Sequence, residues 1–121
     1  MIRVVFFREK DGSAPLLDWL GALPHAAQDR CTERIERLHK LGHLLRRPEA
    51  DYLRDGIYEL RVKRERINYR MLYFFHGQET AVLSRGLIKQ QAAVPPHEIE
   101  RAMARKRAFQ RDPKRHTTET R

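Results

Sequence analysis

Apolar residues recur along the chain with two periods, and these divide it into elements. Residues 2–8 form a β-branched and aromatic run that predicts a first strand, stopped by Lys10-Asp11-Gly12. Ser13 reads as the N-cap of a short helix, with Ala14 and Pro15 in its first turn and Leu16, Leu17 and Leu20 as its apolar face. Pro24 opens a second helix. On it Ala27, Cys31, Ile35, Leu38 and Gly42 recur at helical spacing, against Arg30, Glu33, Arg34, Glu36 and Arg37 on the remaining surface. Gly42 is a natural stop. After the polar link Arg46-Arg47-Pro48, three segments have strand character: Ile57 to Lys63, Ile67 to Phe75 and Thr80 to Lys89. Their links, Arg64-Glu65-Arg66 and His76-Gly77-Gln78-Glu79, are hairpin-sized, so an antiparallel meander is expected. In the first of the three, Tyr58, Leu60 and Val62 share one face, while Glu59 and Arg61 occupy the other. Pro95-Pro96 then starts a last helix through His97-Glu98-Ile99-Glu100-Arg101-Ala102, with acid early and base later. The order β-α-α-β-β-β-α predicts an α+β domain, a small antiparallel sheet with helices packed on it.

The length of 121 residues suits one domain, expected over residues 1–109. Residues 110–121 are expected to be a flexible, basic and polar tail, because Asp112-Pro113 and Thr117-Thr118-Glu119-Thr120 have nothing to bury. No stretch approaches the roughly 20 apolar residues of a membrane span. The short apolar run near Met1 is bounded by arginines and lacks a small-residue cleavage site, so it does not read as a signal peptide, and the expected compartment is the cytoplasm. The single cysteine, Cys31, excludes an internal disulfide and a thiolate cluster, and its place on the second helix predicts a core residue. Of the formal charge of +9, residues 101–121 carry eight basic against two acidic residues. Such a basic end attracts polyanions, which points to nucleic acid or an acidic partner.

Most familiar chemistries are missing. Gly56, Gly77 and Gly86 stand alone, so no phosphate-cradling loop is formed, and Ser84 lacks the context of a hydrolase nucleophile. His39 and His43 lie four apart on the second helix, but no third ligand has recognisable spacing, and favourable charge at a helix C-terminus accounts for the pair. Neither metal nor cofactor is expected. What remains is a set of cations placed on the sheet: Arg61, Arg70, Arg85 and Lys89. Cations gathered on neighbouring strands need an anion among them. Glu59, Asp51 or Asp55 could supply it internally, and a bound phosphate could supply it from outside.

Four runs appear in order: Leu53-Arg54-Asp55-Gly56-Ile57-Tyr58-Glu59-Leu60-Arg61, Tyr69-Arg70-Met71-Leu72-Tyr73-Phe74-Phe75, Gly86-Leu87-Ile88-Lys89, and Pro95-Pro96-His97-Glu98-Ile99-Glu100-Arg101-Ala102. Together they resemble the phage-derived HigB-like branch of the RelE/ParE toxin superfamily. The resemblance implies a RelE-like fold and the toxin of a type II toxin–antitoxin pair, a ribosome-dependent endoribonuclease that cleaves messenger RNA. It also implies a cognate helix-turn-helix antitoxin, with the ribosome and mRNA as the other partners and no small-molecule cofactor. Carried over by position, Arg61, Arg70 and Lys89 match the basic residues of such catalytic sites. Arg85, Lys63, Arg101 and Arg105 are expected to bind RNA around them. The chain departs from the family where His-Gly-Phe and a Lys pair are usual, having Arg85-Gly86-Leu87 and Lys89-Gln90 instead.

Metal-independent cleavage needs the 2′-hydroxyl to attack the adjacent phosphate, with charge stabilisation and two proton transfers. Arg61, Arg70 and Arg85 suit the phosphate. Arginine stays protonated, so Lys89 is the candidate for proton transfer, with His76 and His97 as alternatives. Tyr73 either stacks on a base or packs in the core. Two other readings are a ParE-like toxin that inhibits DNA gyrase without catalysis, and a nucleic-acid-binding module using the basic last helix.

Overall fold

A computed structural model describes residues 1–119; Thr120 and Arg121, the end of the expected tail, lie outside the described residues. The order is β1 (Arg3–Phe7), α1 (Pro15–Gly21), α2 (His25–Leu41), a 3-10 turn, β2 (Ala50–Arg54), β3 (Ile57–Arg64), β4 (Ile67–His76), β5 (Thr80–Lys89), α3 (Pro96–Arg111) and β6 (Thr117–Thr118). The α+β class and the RelE-like arrangement of helices on a small sheet are as expected. Gly42 ends α2 at a φ of 53°, in the left-handed region where a side chain is disfavoured. Ser13 is not a helix cap: Ala14 takes that position, and the Ser13 hydroxyl and amide both donate to the Asp11 carboxylate.

The six strands lie in the order β2-β3-β4-β5-β1-β6. From β2 to β5 the sheet is an antiparallel meander. The sheet is antiparallel as expected except at β1, for which the sequence names no partner: it pairs in parallel with β5, Arg3 opposite Thr80 and Phe6 opposite Leu83. The helices carry the chain from β1 across the sheet to the far edge at β2, and the meander then walks back. A strand reached by such a crossover need not alternate in direction with its neighbour. Strand β2 was not expected. Its signal is the Asp55-Gly56 pair, both residues at positive φ, the geometry of a tight two-residue hairpin into β3. Beyond α3 the chain returns to the sheet: β6 pairs with β1, and His116 is buried, stacked on Phe7 with ring centroids 4.9 Å apart.

Each face of the sheet has its own core. On one side Leu16, Ala27, Cys31 and Leu38 of the first two helices pack on Leu60, Val62, Met71, Tyr73 and Leu83. On the other, Ile99, Ala102 and Phe109 of α3 pack on Val5, Ile57, Leu72, Phe74 and Leu87. Leu83 and Leu87 share a parity along β5 yet belong to opposite cores. A β-bulge is the cause. The register jumps from Leu72–Arg85 to Tyr73–Leu83, leaving Ser84 as the extra residue, and every later side chain of β5 changes face. The bulge therefore puts Arg85, Leu87 and Lys89 on the α3 side.

Candidate nucleic-acid interface

On the α3 side of the sheet, side chains form cross-strand rows about 7 Å apart. Ile57 and Phe74 stand in rows beneath α3. Further along, Glu59 and Leu72 are opposed, with Asp51 beyond Glu59 on β2 and Arg85 beyond Leu72 on β5. The next row is Arg61, Arg70 and Leu87, and the last is Lys63, Asn68 and Lys89. The same face thus runs from apolar under the helix to cationic beyond it. Arg61, Lys63, Arg70 and Lys89, four of the expected site residues, are gathered by this register alone.

At the centre lies a carboxylate. Glu59 and Arg70 are 4% and 3% exposed, with Arg70 Nε 3.2 Å from Glu59 Oε1. The angle is poor, so neither atom makes a hydrogen bond across this contact, and Arg70 donates through Nη1 to the Tyr69 carbonyl at 3.0 Å. Burial pushes the Glu59 carboxyl above its usual range, against the opposing pull of Arg70, Arg61 and Lys89. Burial likewise lowers the Arg70 guanidinium, with Glu59 working the other way. Arg61 is differently placed. Its guanidinium lies 3.9 Å from both Asp51 and Glu59 without bonding to either, and its side chain is 30% exposed. Asp51 itself is held by Arg47 at 2.7 Å, which keeps its carboxyl below the usual value. Lys63 is exposed and Lys89 half-buried. Arg61, Lys63 and Lys89 are therefore open to an anion from solvent, whereas Arg70 is enclosed beside Glu59.

The other three expected RNA-binding residues sit apart, along a groove of about 970 Å³ between α3 and the chain leading into α1. Arg85, Arg101 and Arg105 line it together with Lys10, Asp18 and Trp19. Arg85 is the link between the two regions, since it also stands opposite Leu72 beside the Glu59 row. Its Nε is 3.4 Å from Glu98 Oε1. Arg105 is largely engaged: it donates to Glu9 at 3.1 Å and to Ser84 Oγ at 3.3 Å, and lies over the Phe7 ring. Arg101 is exposed.

Of the other candidates, Tyr73 is 1% exposed and belongs to the core, where burial pushes its phenol up. His39 Nδ1 donates to the Ile2 carbonyl at 2.6 Å, and His43 Nε2 to the Gln78 carbonyl at 3.0 Å, so both rings tie chain segments together. His76 stands edge-on to Phe109, and His97 is exposed beside Glu98. Along the sequence Glu59 is only one of several possible counter-ions, because its central place depends on the β3–β4 register. Among the described residues no helix is long and apolar enough to cross a membrane.

Comparison with known proteins gives one family: the model described as phage derived protein Gp49-like (DUF891) matches residues 18–107. No curated protein matches the chain. The matched span runs from α1 into α3 and contains Glu59, Arg61, Lys63, Arg70, Arg85, Lys89, Arg101 and Arg105.

Proposed function

The chain belongs to the phage-derived Gp49-like family, within the RelE/HigB-like toxin superfamily, and on that premise we propose that it is a ribosome-dependent endoribonuclease acting on messenger RNA. An antitoxin partner follows from the family. A helix-turn-helix protein is the antitoxin we propose. The observation that carries the nuclease reading is the cationic end of the α3 face, where Arg61, Lys63 and Lys89 reach solvent around a buried carboxylate.

In this reading Arg61 and Lys63 hold the scissile phosphate, and Arg61 meets the charge that grows on it during attack by the 2′-hydroxyl. Lys89, on the opposite strand of the last row, serves proton transfer. Glu59 and Arg70 are positioning residues. Glu59 draws the Arg61 guanidinium from below, and Arg70 pulls the Glu59 carboxyl toward its charged form against the effect of burial. A site made of charge and position leaves the alignment of the 2′-hydroxyl with the phosphate to be supplied, and a ribosome-bound messenger supplies it.

Primer extension on a defined messenger, in a reconstituted translation system with and without ribosomes, tests this. The variants are Arg61→Ala and Lys89→Ala, whose side chains are not buried. New 5′ ends are expected only with ribosomes and the unsubstituted protein. Growth arrest without new ends, undiminished in both variants, overturns the nuclease and leaves a non-catalytic, gyrase-inhibiting toxin. Efficient cutting of naked messenger overturns ribosome dependence.

A further inference from the structure

The groove between α3 and the entry to α1 is built differently from the cationic face. Arg105 is neutralised by Glu9 at 3.1 Å, Arg85 lies 3.4 Å from Glu98, and Asp11 is taken up by Ser13. Among the described residues this leaves Lys10 and Arg101 without a carboxylate partner, and Asp18 without a cation. A surface meant only for phosphates has no use for an unpaired carboxylate, which repels them. Beside Asp18 is Trp19, whose ring is fixed from behind. A Cβ on Gly86 would fall 2.0 Å from the indole, so the ring rests on the bare backbone of β5, and Tyr69 meets it edge-on at 6.3 Å. A pre-positioned aromatic ring, a free carboxylate next to it and two free cations form a set that a nucleotide satisfies: stacking for the base, an acceptor for its edge, and cations for the flanking phosphates. The volume is ample for one nucleotide.

We propose that this groove receives a guanosine of the RNA strand, its base against Trp19 and its Watson–Crick edge on the Asp18 carboxylate, with Arg101 and Lys10 on the neighbouring phosphates. The choice of base follows from the carboxylate. Guanine presents two donors side by side, N1–H and N2–H, which match two carboxylate oxygens. Adenine and cytosine set an acceptor beside their single amino group, and uracil flanks its one N–H with two carbonyls; each of these faces the carboxylate with repulsion as well as attraction. The inference rests on the RNA reading of the adjoining face, which Arg85 connects to the groove.

Trp19 is the sole tryptophan of the chain, so its fluorescence reports the groove alone. The full chain is titrated at low salt with 2′-O-methyl tetranucleotides UUGU and UUUU, each also followed by anisotropy of a fluorescein label, and with GMP. Saturable quenching by UUGU is expected, with affinity about tenfold or more above that for UUUU, as for one bidentate contact. Asp18→Asn, at an exposed position, is expected to abolish that preference, with UUUU bound at least as tightly as by the unsubstituted protein because a repelling charge is gone. Equal affinities overturn the proposal. So does an anisotropy rise without any change in Trp19, a result that leaves the nuclease reading standing. Binding of GMP as tight as that of UUGU overturns the assignment to an RNA strand, and no anisotropy change with either oligonucleotide overturns the RNA reading and this inference together.

Discussion

Substituting Arg70 by Ala takes the cation away from a carboxylate that cannot reach water. Glu59 is 4% exposed, and Arg70 Nε at 3.2 Å is the nearest opposing charge. The orphaned carboxylate can stay charged, or it can take up a proton. Protonation sets the ceiling on the cost: from an ordinary value of 4.5 it takes about 1.4 kcal/mol per pH unit, hence about 3 to 4 kcal/mol at pH 7. This agrees with the roughly 3–5 kcal/mol found when one partner of a buried pair is removed. The sign with pH follows. An acid whose folded value lies above its unfolded one favours folding below the unfolded value, and that contribution is lost as pH rises through the folded value. Burial already raises Glu59 in the wild type, and losing Arg70 raises it further. The stability gap between the two proteins should therefore be smallest near pH 4.5 and widen toward neutrality. Urea unfolding followed by Trp19 emission at pH 4.5, 6 and 7.5 measures it. In Glu59→Gln the same Arg70→Ala change should cost less and depend little on pH. A gap that is equally large at all three pH values refutes the idea that Arg70 is needed to keep Glu59 charged.

Three further expectations concern other regions. Burial pushes the Cys31 thiol up to about 11, so it should resist a thiol reagent at pH 8 in the native protein and react at once in denaturant; fast native labelling contradicts its placement in the core. Gly86→Ala should lower stability by about 1–3 kcal/mol and shift Trp19 emission, because the new methyl meets the indole; an unchanged urea midpoint contradicts the contact. If the three cations Arg61, Lys63 and Lys89 together neutralise about three charges of the RNA backbone, the plot of log affinity for single-stranded RNA against log salt should have a slope of about −2, reduced by roughly a third in Lys63→Ala. A slope near zero excludes the cationic face as the RNA-binding surface.

Much of the fold is readable along the chain because its signals are local. The alternation of β3, the helical recurrence from Ala27 to Gly42 and the Pro95-Pro96 start of α3 each depend on residues within one element. Strand β2 is short and mostly polar, and only its Asp55-Gly56 hairpin signal betrays it. The parallel partnership of β1 with β5 depends on the route of the whole chain, and no local pattern records it. The site divides in the same way. That Arg61, Arg70 and Lys89 lie on strands is a local fact; that they share one face requires the register and the bulge at Ser84, which strict alternation along β5 conceals. Their exposure is less legible still, since Arg61 and Arg70 look alike as residues, and only the Glu59 row separates the enclosed cation from the accessible one.

That row also suggests why an ion pair sits where apolar side chains could pack. Buried pairs add little net stability over well-packed hydrophobic residues of similar volume, so the Glu59–Arg70 pair is better understood by what it does to its neighbours. Glu59 lies one row from Arg61 and draws its guanidinium to 3.9 Å without bonding it. A guanidinium held by charge alone keeps its donors free for a ligand, whereas one locked in a bidentate bond, as Arg37 is on Glu49, has spent them. Asp51 restrains Arg61 in the same loose manner from the other side, its stronger contact being with Arg47. The reach of α3 completes the arrangement: its apolar contacts stop at Leu72 and Leu87, and the charged rows begin beside them. The apolar residues under α3 thus border the Glu59 row on one side while the outer row stays open to solvent, so that one sheet face both buries Glu59 and presents Arg61, Lys63 and Lys89 to an anion.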